Sequence, residues 1–106
     1  TTGSPGGSRI ISAVLQSIIN IIDFDMNLEQ ATFAKRIHHQ WQPDILEIEL
    51  SIDDDIKNSL KGMGYFINLV EPRTCIQTIM YQNGEFTGYG DFRRPDAFAS
   101  GNINDR

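Results

Sequence analysis

The chain predicts an α+β fold, helices packed on a mainly antiparallel sheet, and three stretches carry that prediction. Within residues 10–24, Ile10, Ile11, Val14, Leu15, Ile18, Ile19 and Ile22 recur at one-, three- and four-residue intervals and mark a helix with a wide apolar stripe meant for burial. Leu46-Glu47-Ile48-Glu49-Leu50 alternates apolar and acidic residues, the period of a strand with one face buried. Asn83-Gly84 sits between the strand-like runs 76–81 and 85–89, a strong short-range signal for a hairpin.

The remaining elements fall around these three. Thr1 and Thr2 end a strand that leads into Gly3-Ser4-Pro5-Gly6-Gly7-Ser8. Pro5 presets φ, and Gly6 and Gly7 lack a Cβ, so the chain bends sharply there and a carbonyl can approach the main chain closely. The first turn of the helix that follows leaves N–H groups without internal partners, and its dipole adds partial positive charge, an arrangement that suits an oxyanion or phosphate. A plain turn capped by Ser8 accounts for the same residues on spacing alone. Asn27 and Gln30 are spaced as a capping box and open a short helix that ends around Ala34. Residues 36–40 read as extended. Ile52, Ile56, Leu60 and Met63 mark one face of a third helix, with Asp53, Asp54 and Asp55 as its negative first turn and Gly62 or Gly64 as its end. Residues 65–70 form a strand, and residues 100–106 read as a surface tail.

With 106 residues the chain makes one domain, 1–106, with a single modest core. Nine basic against fourteen acidic side chains leave a net charge of -5, which argues against nucleic acid or an anionic membrane as partner. Polar residues from Ser12 to Asp23 interrupt the apolar run 10–24, so it does not span a bilayer. The single cysteine, Cys75, excludes an internal disulfide. His38 and His39 are adjacent in an extended stretch and point to opposite faces, so no metal and no cofactor is expected. Trp41, followed by Pro43, is expected to pack a corner with its indole N–H on an acceptor. Arg36, Arg93 and Arg94 are expected in buried pairs with Asp44 or Asp91, a substrate carboxylate being the alternative partner.

Gly3-Ser4-Pro5-Gly6-Gly7-Ser8-Arg9-Ile10-Ile11, then Arg36-Ile37-His38-His39-Gln40-Trp41-Gln42-Pro43-Asp44, then Gln77, Asn83-Gly84 and Gly90-Asp91-Phe92-Arg93 resemble, in this order, the gamma-glutamyltransferase (gamma-glutamyltranspeptidase) family. Lys35, Tyr65 and Phe92 depart from its usual proline, histidine and proline. The resemblance implies a partial N-terminal-nucleophile hydrolase fold, an αββα sandwich, with this chain as the C-terminal part of the small subunit. It implies transfer of a gamma-glutamyl group from glutathione or related amides to water, amino acids or peptides through a threonine ester. By the same resemblance Gly6 and Gly7 supply oxyanion-hole backbone amides. Thr1-Thr2 runs directly into the glycine loop, whereas the family's nucleophilic threonine lies well upstream of it, so no nucleophile is expected here and the chain alone is expected to be inactive. Implied partners are the remainder of the small subunit and the large subunit, or a second copy, with a small-molecule gamma-glutamyl substrate and a periplasmic or extracellular location. The alternative is a non-catalytic stand-alone oligomerisation or interaction domain that keeps the family scaffold.

Overall fold

Asn83 and Gly84 both take positive φ, 54° and 80°, the backbone that a two-residue hairpin turn requires and that few residue pairs tolerate. In the computed structural model, which describes residues 1–101, this turn joins β5 (Gln77–Gln82) to β6 (Glu85–Gly90) in the pairing the sequence predicts. A short β1 (Thr2–Gly3) lies antiparallel on the other side of β5, giving a sheet of order β1-β5-β6. A second sheet of order β2-β3-β4 is formed by β2 (Ile37–His39), β3 (Leu46–Glu49) and β4 (Ile67–Val70). β2 and β3 pair antiparallel, while β3 and β4 pair parallel through the crossover helix α3 (Asp54–Gly62), so the antiparallel expectation holds for every pairing but this one.

The helix α1 (Arg9–Ile22) packs on α2 (Leu28–Phe33), β1 and β2, bridging the two sheets. Asn27 starts α2 with the capping box read from the sequence: its side chain accepts from the Gln30 N–H at 2.8 Å, and the Gln30 side chain accepts from the Asn27 N–H at 3.0 Å. The core is small and centres on Ala13, Ala31, Leu46, Ile48, Cys75 and Ile76.

Several expectations are corrected. The wide α1 stripe is not buried: Ala13 and Ser17 face inward, while Ile11, Leu15, Ile18 and Ile22 are exposed. Small residues let α1 approach the sheets closely, which turns the larger ones outward. On α3 no residue is buried, and Ile56 and Met63 stand in solvent. Glu49 of β3 is buried although it lies off the apolar face, because it meets a buried arginine. Trp41 packs no corner; its backbone has φ 67° and its side chain is exposed. Of the expected tail, Ser100 and Gly101 are exposed and without regular structure, and the rest lies outside the described residues.

Candidate functional site

The glycine loop leaves the sheet immediately after β1, where Thr2 pairs with Thr78 and Gly3 with Gln77. Ser4 Oγ accepts from the Cys75 N–H at 3.2 Å and donates to the Pro5 carbonyl at 2.6 Å, which ties the loop's entry to the 73–76 segment. Gly6 and Gly7 follow with φ of 133° and 60°, values that L side chains rarely adopt. The Gly6 and Gly7 carbonyls accept from the Arg9 and Ile10 N–H groups, each at 3.1 Å, and so close the first turn of α1. Neither glycine N–H donates a hydrogen bond among the described residues. The two glycines differ in surroundings. A Cβ on Gly6 would lie 3.0 Å from Thr74 Cγ2 and 3.1 Å from the Arg73 carbonyl oxygen, whereas one on Gly7 would meet nothing within 4 Å. One glycine is pressed against its support; the other is open.

Ser8 does not cap the helix. Its backbone is already helical, with φ -62° and ψ -18°, and its hydroxyl donates instead to Gln40 Oε1 at 2.8 Å. His38 joins the same group, with Nε2 3.2 Å from Gln40 Oε1 and Nδ1 2.7 Å from Ser12 Oγ. His39 turns elsewhere: Nε2 meets Asp44 Oδ1 at 2.9 Å and Nδ1 accepts from the Trp41 N–H at 3.0 Å. The two histidines therefore serve separate hydrogen-bond groups.

Two ionic clusters support the loop. Next to it, Arg9 makes a two-pronged pair with Glu47, Nε to Oε2 and Nη2 to Oε1, both at 2.7 Å, and Arg73 Nη1 reaches Glu47 Oε1 at 3.1 Å. The Arg9 hydrogen bond holds the Glu47 carboxyl below its ordinary range, and partial burial only offsets this in part. Deeper lies a cluster with almost no solvent contact. Arg36 Nη1 pairs with Asp91 Oδ2 at 2.8 Å, Arg93 Nη1 with Asp91 Oδ1 at 2.9 Å, and Arg93 also grips Glu49. Burial alone would raise the Asp91 carboxyl, but the N–H groups of Ile76 and Arg93 and the Arg36 guanidinium outweigh it and hold Asp91 low. The two arginines respond oppositely. Burial and the neighbouring Arg93 charge lower Arg36, whereas Arg93, desolvated too, is raised because it hydrogen-bonds both Glu49 and Asp91.

Of the pairs expected from sequence, Arg36 with Asp91 and Arg93 with Asp91 are present. Among the described residues Asp44 takes no arginine; it is exposed and pairs with His39, and Arg94, expected in a buried pair, is exposed. Sequence reasoning missed Glu49 as a buried anion and Glu47 as the partner of Arg9. The available signal was arithmetic: two buried guanidinium groups need more than one carboxylate. Between α1, β2, β3 and residues 73–74 lies a cavity of about 30 Å³, room for about one water molecule and too small for an amino-acid substrate. Neither Gly6 nor Gly7 lines this cavity.

The family profile described as Gamma-glutamyltranspeptidase matches residues 1–101. The glutathione hydrolase proenzyme of Escherichia coli (strain K12) is 44% identical over 101 residues, covering 94% of this chain and 17% of that protein. The solved structure of Helicobacter pylori gamma-glutamyltranspeptidase is 41% identical, with a TM-score of 0.77 over 88% of this chain and 53% of that one. Gamma-glutamyltranspeptidase from Pseudomonas nitroreducens, solved in complex with L-DON, is 30% identical with a TM-score of 0.84, over 98% of this chain and 54% of that one. The chain thus spans about half the length of the solved chains and under a fifth of the E. coli proenzyme. Its α+β architecture is part of the N-terminal-nucleophile hydrolase fold of these neighbours. With the profile matched from residue 1 to residue 101 and relatives at this identity, the chain belongs to the gamma-glutamyltranspeptidase family.

Proposed function

We propose that the chain is a segment of an enzyme that transfers gamma-glutamyl groups, and that Gly6 and Gly7 give it an oxyanion-binding pair of main-chain amides. A threonine hydroxyl supplied from outside these residues attacks the gamma-carbonyl carbon and its proton passes to the departing amine, so the amide C–N bond breaks as the ester C–O bond forms. Water or an amino group then displaces the threonine oxygen. In both steps negative charge collects on the former carbonyl oxygen, and donors already aimed at that position lower the barrier without reorganising.

One observation carries the reading. Two consecutive positive-φ glycines stand at the N-terminus of a 14-residue helix with their carbonyls engaged and their N–H groups unused among the described residues. The exposed α1 residues Ile11, Leu15 and Ile22 favour a partner surface, which this reading identifies as the remainder of the small subunit and the large subunit. A periplasmic or extracellular location belongs to the same proposal. No helix among the described residues is long and apolar enough to cross a membrane.

The purified chain is expected to release no aniline from a gamma-glutamyl anilide. Turnover that vanished in Thr1→Ala would overturn this and make Thr1 the nucleophile. In the complete enzyme, Gly7→Val is expected to lower kcat by roughly a hundred-fold with a smaller change in KM, because a β-branched residue does not hold positive φ and the amides lose their aim. An unchanged kcat in folded, self-processed enzyme returns the loop to a plain turn that starts a helix.

A further inference from the structure

Glu47 stands off the loop and touches neither glycine, yet both flanks of the loop converge on it. Downstream, Arg9 is the first residue of α1; its N–H closes the turn on the Gly6 carbonyl at 3.1 Å, and its guanidinium takes both Glu47 oxygens at 2.7 Å. On the supporting side, Arg73 Nη1 reaches Glu47 Oε1 at 3.1 Å, and the carbonyl of the same Arg73 lies 3.1 Å from where a Gly6 Cβ would stand. Glu47 itself is on β3, in register with His38 of β2 and Asn68 of β4, so it is anchored in a central strand. From these contacts we propose that Glu47 is a positioning residue of the glycine loop, a carboxylate clamp that fixes Arg9 and Arg73 and thereby sets where the Gly6 and Gly7 amides point.

The chemistry favours this role over a surface ion pair. An exposed pair contributes little, but a two-pronged guanidinium–carboxylate contact fixes direction as well as distance. Glu47 has 15% of its side chain exposed against 28% for Arg9 and 47% for Arg73, so the anion is the sheltered member and the arginines are drawn inward to it. Gly6 has no slack: with Thr74 Cγ2 and the Arg73 carbonyl pressed against it, a shift of the 73–74 segment is transmitted to the loop. Displacement of about 1 Å at a reacting centre is enough to lose up to a hundred-fold in rate.

The inference rests on the oxyanion reading for its catalytic consequence, and the test separates the two. Glu47→Gln keeps size and removes the charge; Arg73→Met removes one side of the clamp at a half-exposed position and serves if the first variant folds poorly. Both are made in the ¹⁵N-labelled full chain and in the complete processed enzyme, with Gly7→Val as reference. Expected are displaced Gly6 and Gly7 amide resonances in Glu47→Gln, a roughly tenfold lower kcat with KM changed less than about twofold, and partial recovery of kcat in Glu47→Asp. Arg73→Met is expected to move the same resonances by a smaller amount. Unmoved Gly6 and Gly7 resonances in both variants overturn the clamp. So does a normal kcat in both variants while Gly7→Val remains slow. If Gly7→Val is as fast as the unaltered enzyme, the oxyanion reading falls and takes the clamp's catalytic role with it.

Discussion

Arg93 and Glu49 face each other through two parallel hydrogen bonds, Nε to Oε2 and Nη2 to Oε1, both 2.7 Å long. With 1% and 8% of their side chains exposed, neither group has water to fall back on. Breaking one side of such a pair strands the other, which costs about 3–5 kcal/mol, far more than the intact pair contributes over an apolar replacement. Glu49→Ala or Arg93→Ala is therefore expected to lower unfolding free energy by that amount, read from urea midpoints, and the double substitution is expected to cost less than the sum. Additive costs would show that the two groups do not depend on each other.

Acid should unfold the chain by a traceable route. Asp91 and Glu47 both have folded pKa values held below their ordinary ones, so the stability they contribute is present above the unfolded carboxylate range and is lost as pH falls through the folded values. Stability is expected to be level from about pH 5 to pH 8 and to decline below about pH 4. In Asp91→Asn the chain is expected to be less stable at neutral pH and to lose less on acidification. An acid slope identical to that of the unaltered chain would exclude Asp91 as a source.

The two helix starts give contrasting expectations. Asn27→Ala removes a reciprocal capping box and is expected to cost about 1 kcal/mol. Ser8→Ala removes one exposed hydrogen bond to Gln40 and no cap, so about 0.5 kcal/mol or less is expected. Thermal midpoints of the two variants compared side by side check the order, and a larger loss at Ser8 would contradict the hydroxyl's placement.

Gly6 and Gly7 should also separate by stability. Alanine at either position meets unfavourable positive φ, a cost of about 1–2 kcal/mol. At Gly6 it additionally meets the Arg73 carbonyl and Thr74, so Gly6→Ala is expected to be the more damaging by unfolding measurements. Equal losses would imply that the 73–74 segment yields to the added methyl.

Self-association is expected for the chain in isolation, because Ile11, Leu15, Ile18 and Ile22 form one exposed face of α1. Sedimentation should show assemblies that grow with concentration, and Leu15→Glu should shift them toward monomer. A single monomeric species at high concentration would contradict this.

Elements whose signal is local were legible in the sequence. The Asn83-Gly84 hairpin and the Asn27/Gln30 capping box depend on neighbours in the chain, and both stand where the residues put them. The glycine loop was legible as a bend, and its exit into a helix likewise. What escaped was orientation. Apolar spacing locates α1 correctly but does not say which of its faces meets the sheets, a choice made by the small residues Ala13 and Ser17. Glu47 and Glu49 sit in a plain alternating strand, and only the arrival of Arg9 from α1 and Arg93 from beyond β6 gives each a separate role. Trp41 reads as packing because an aromatic two residues before a proline suggests a corner, whereas it takes φ 67° and its side chain is exposed.

The deep ionic cluster joins β3, the stretch between α2 and β2, and the residues after β6, taking Arg36 and Glu49 from the first half of the chain and Asp91 and Arg93 from beyond β6. Glu49 accepts from the Arg36 N–H at 2.6 Å, but the two-pronged guanidinium partner of Glu49 and the carboxylate that holds the Arg36 side chain both come from residues 91–93. Without residues 91–93, Arg36 and Glu49 would lose those partners, and burying the stretches that carry them would leave charge uncompensated. Residues 91–93 therefore act as the bolt that fastens β3 and the 34–36 stretch to the sheet carrying β6.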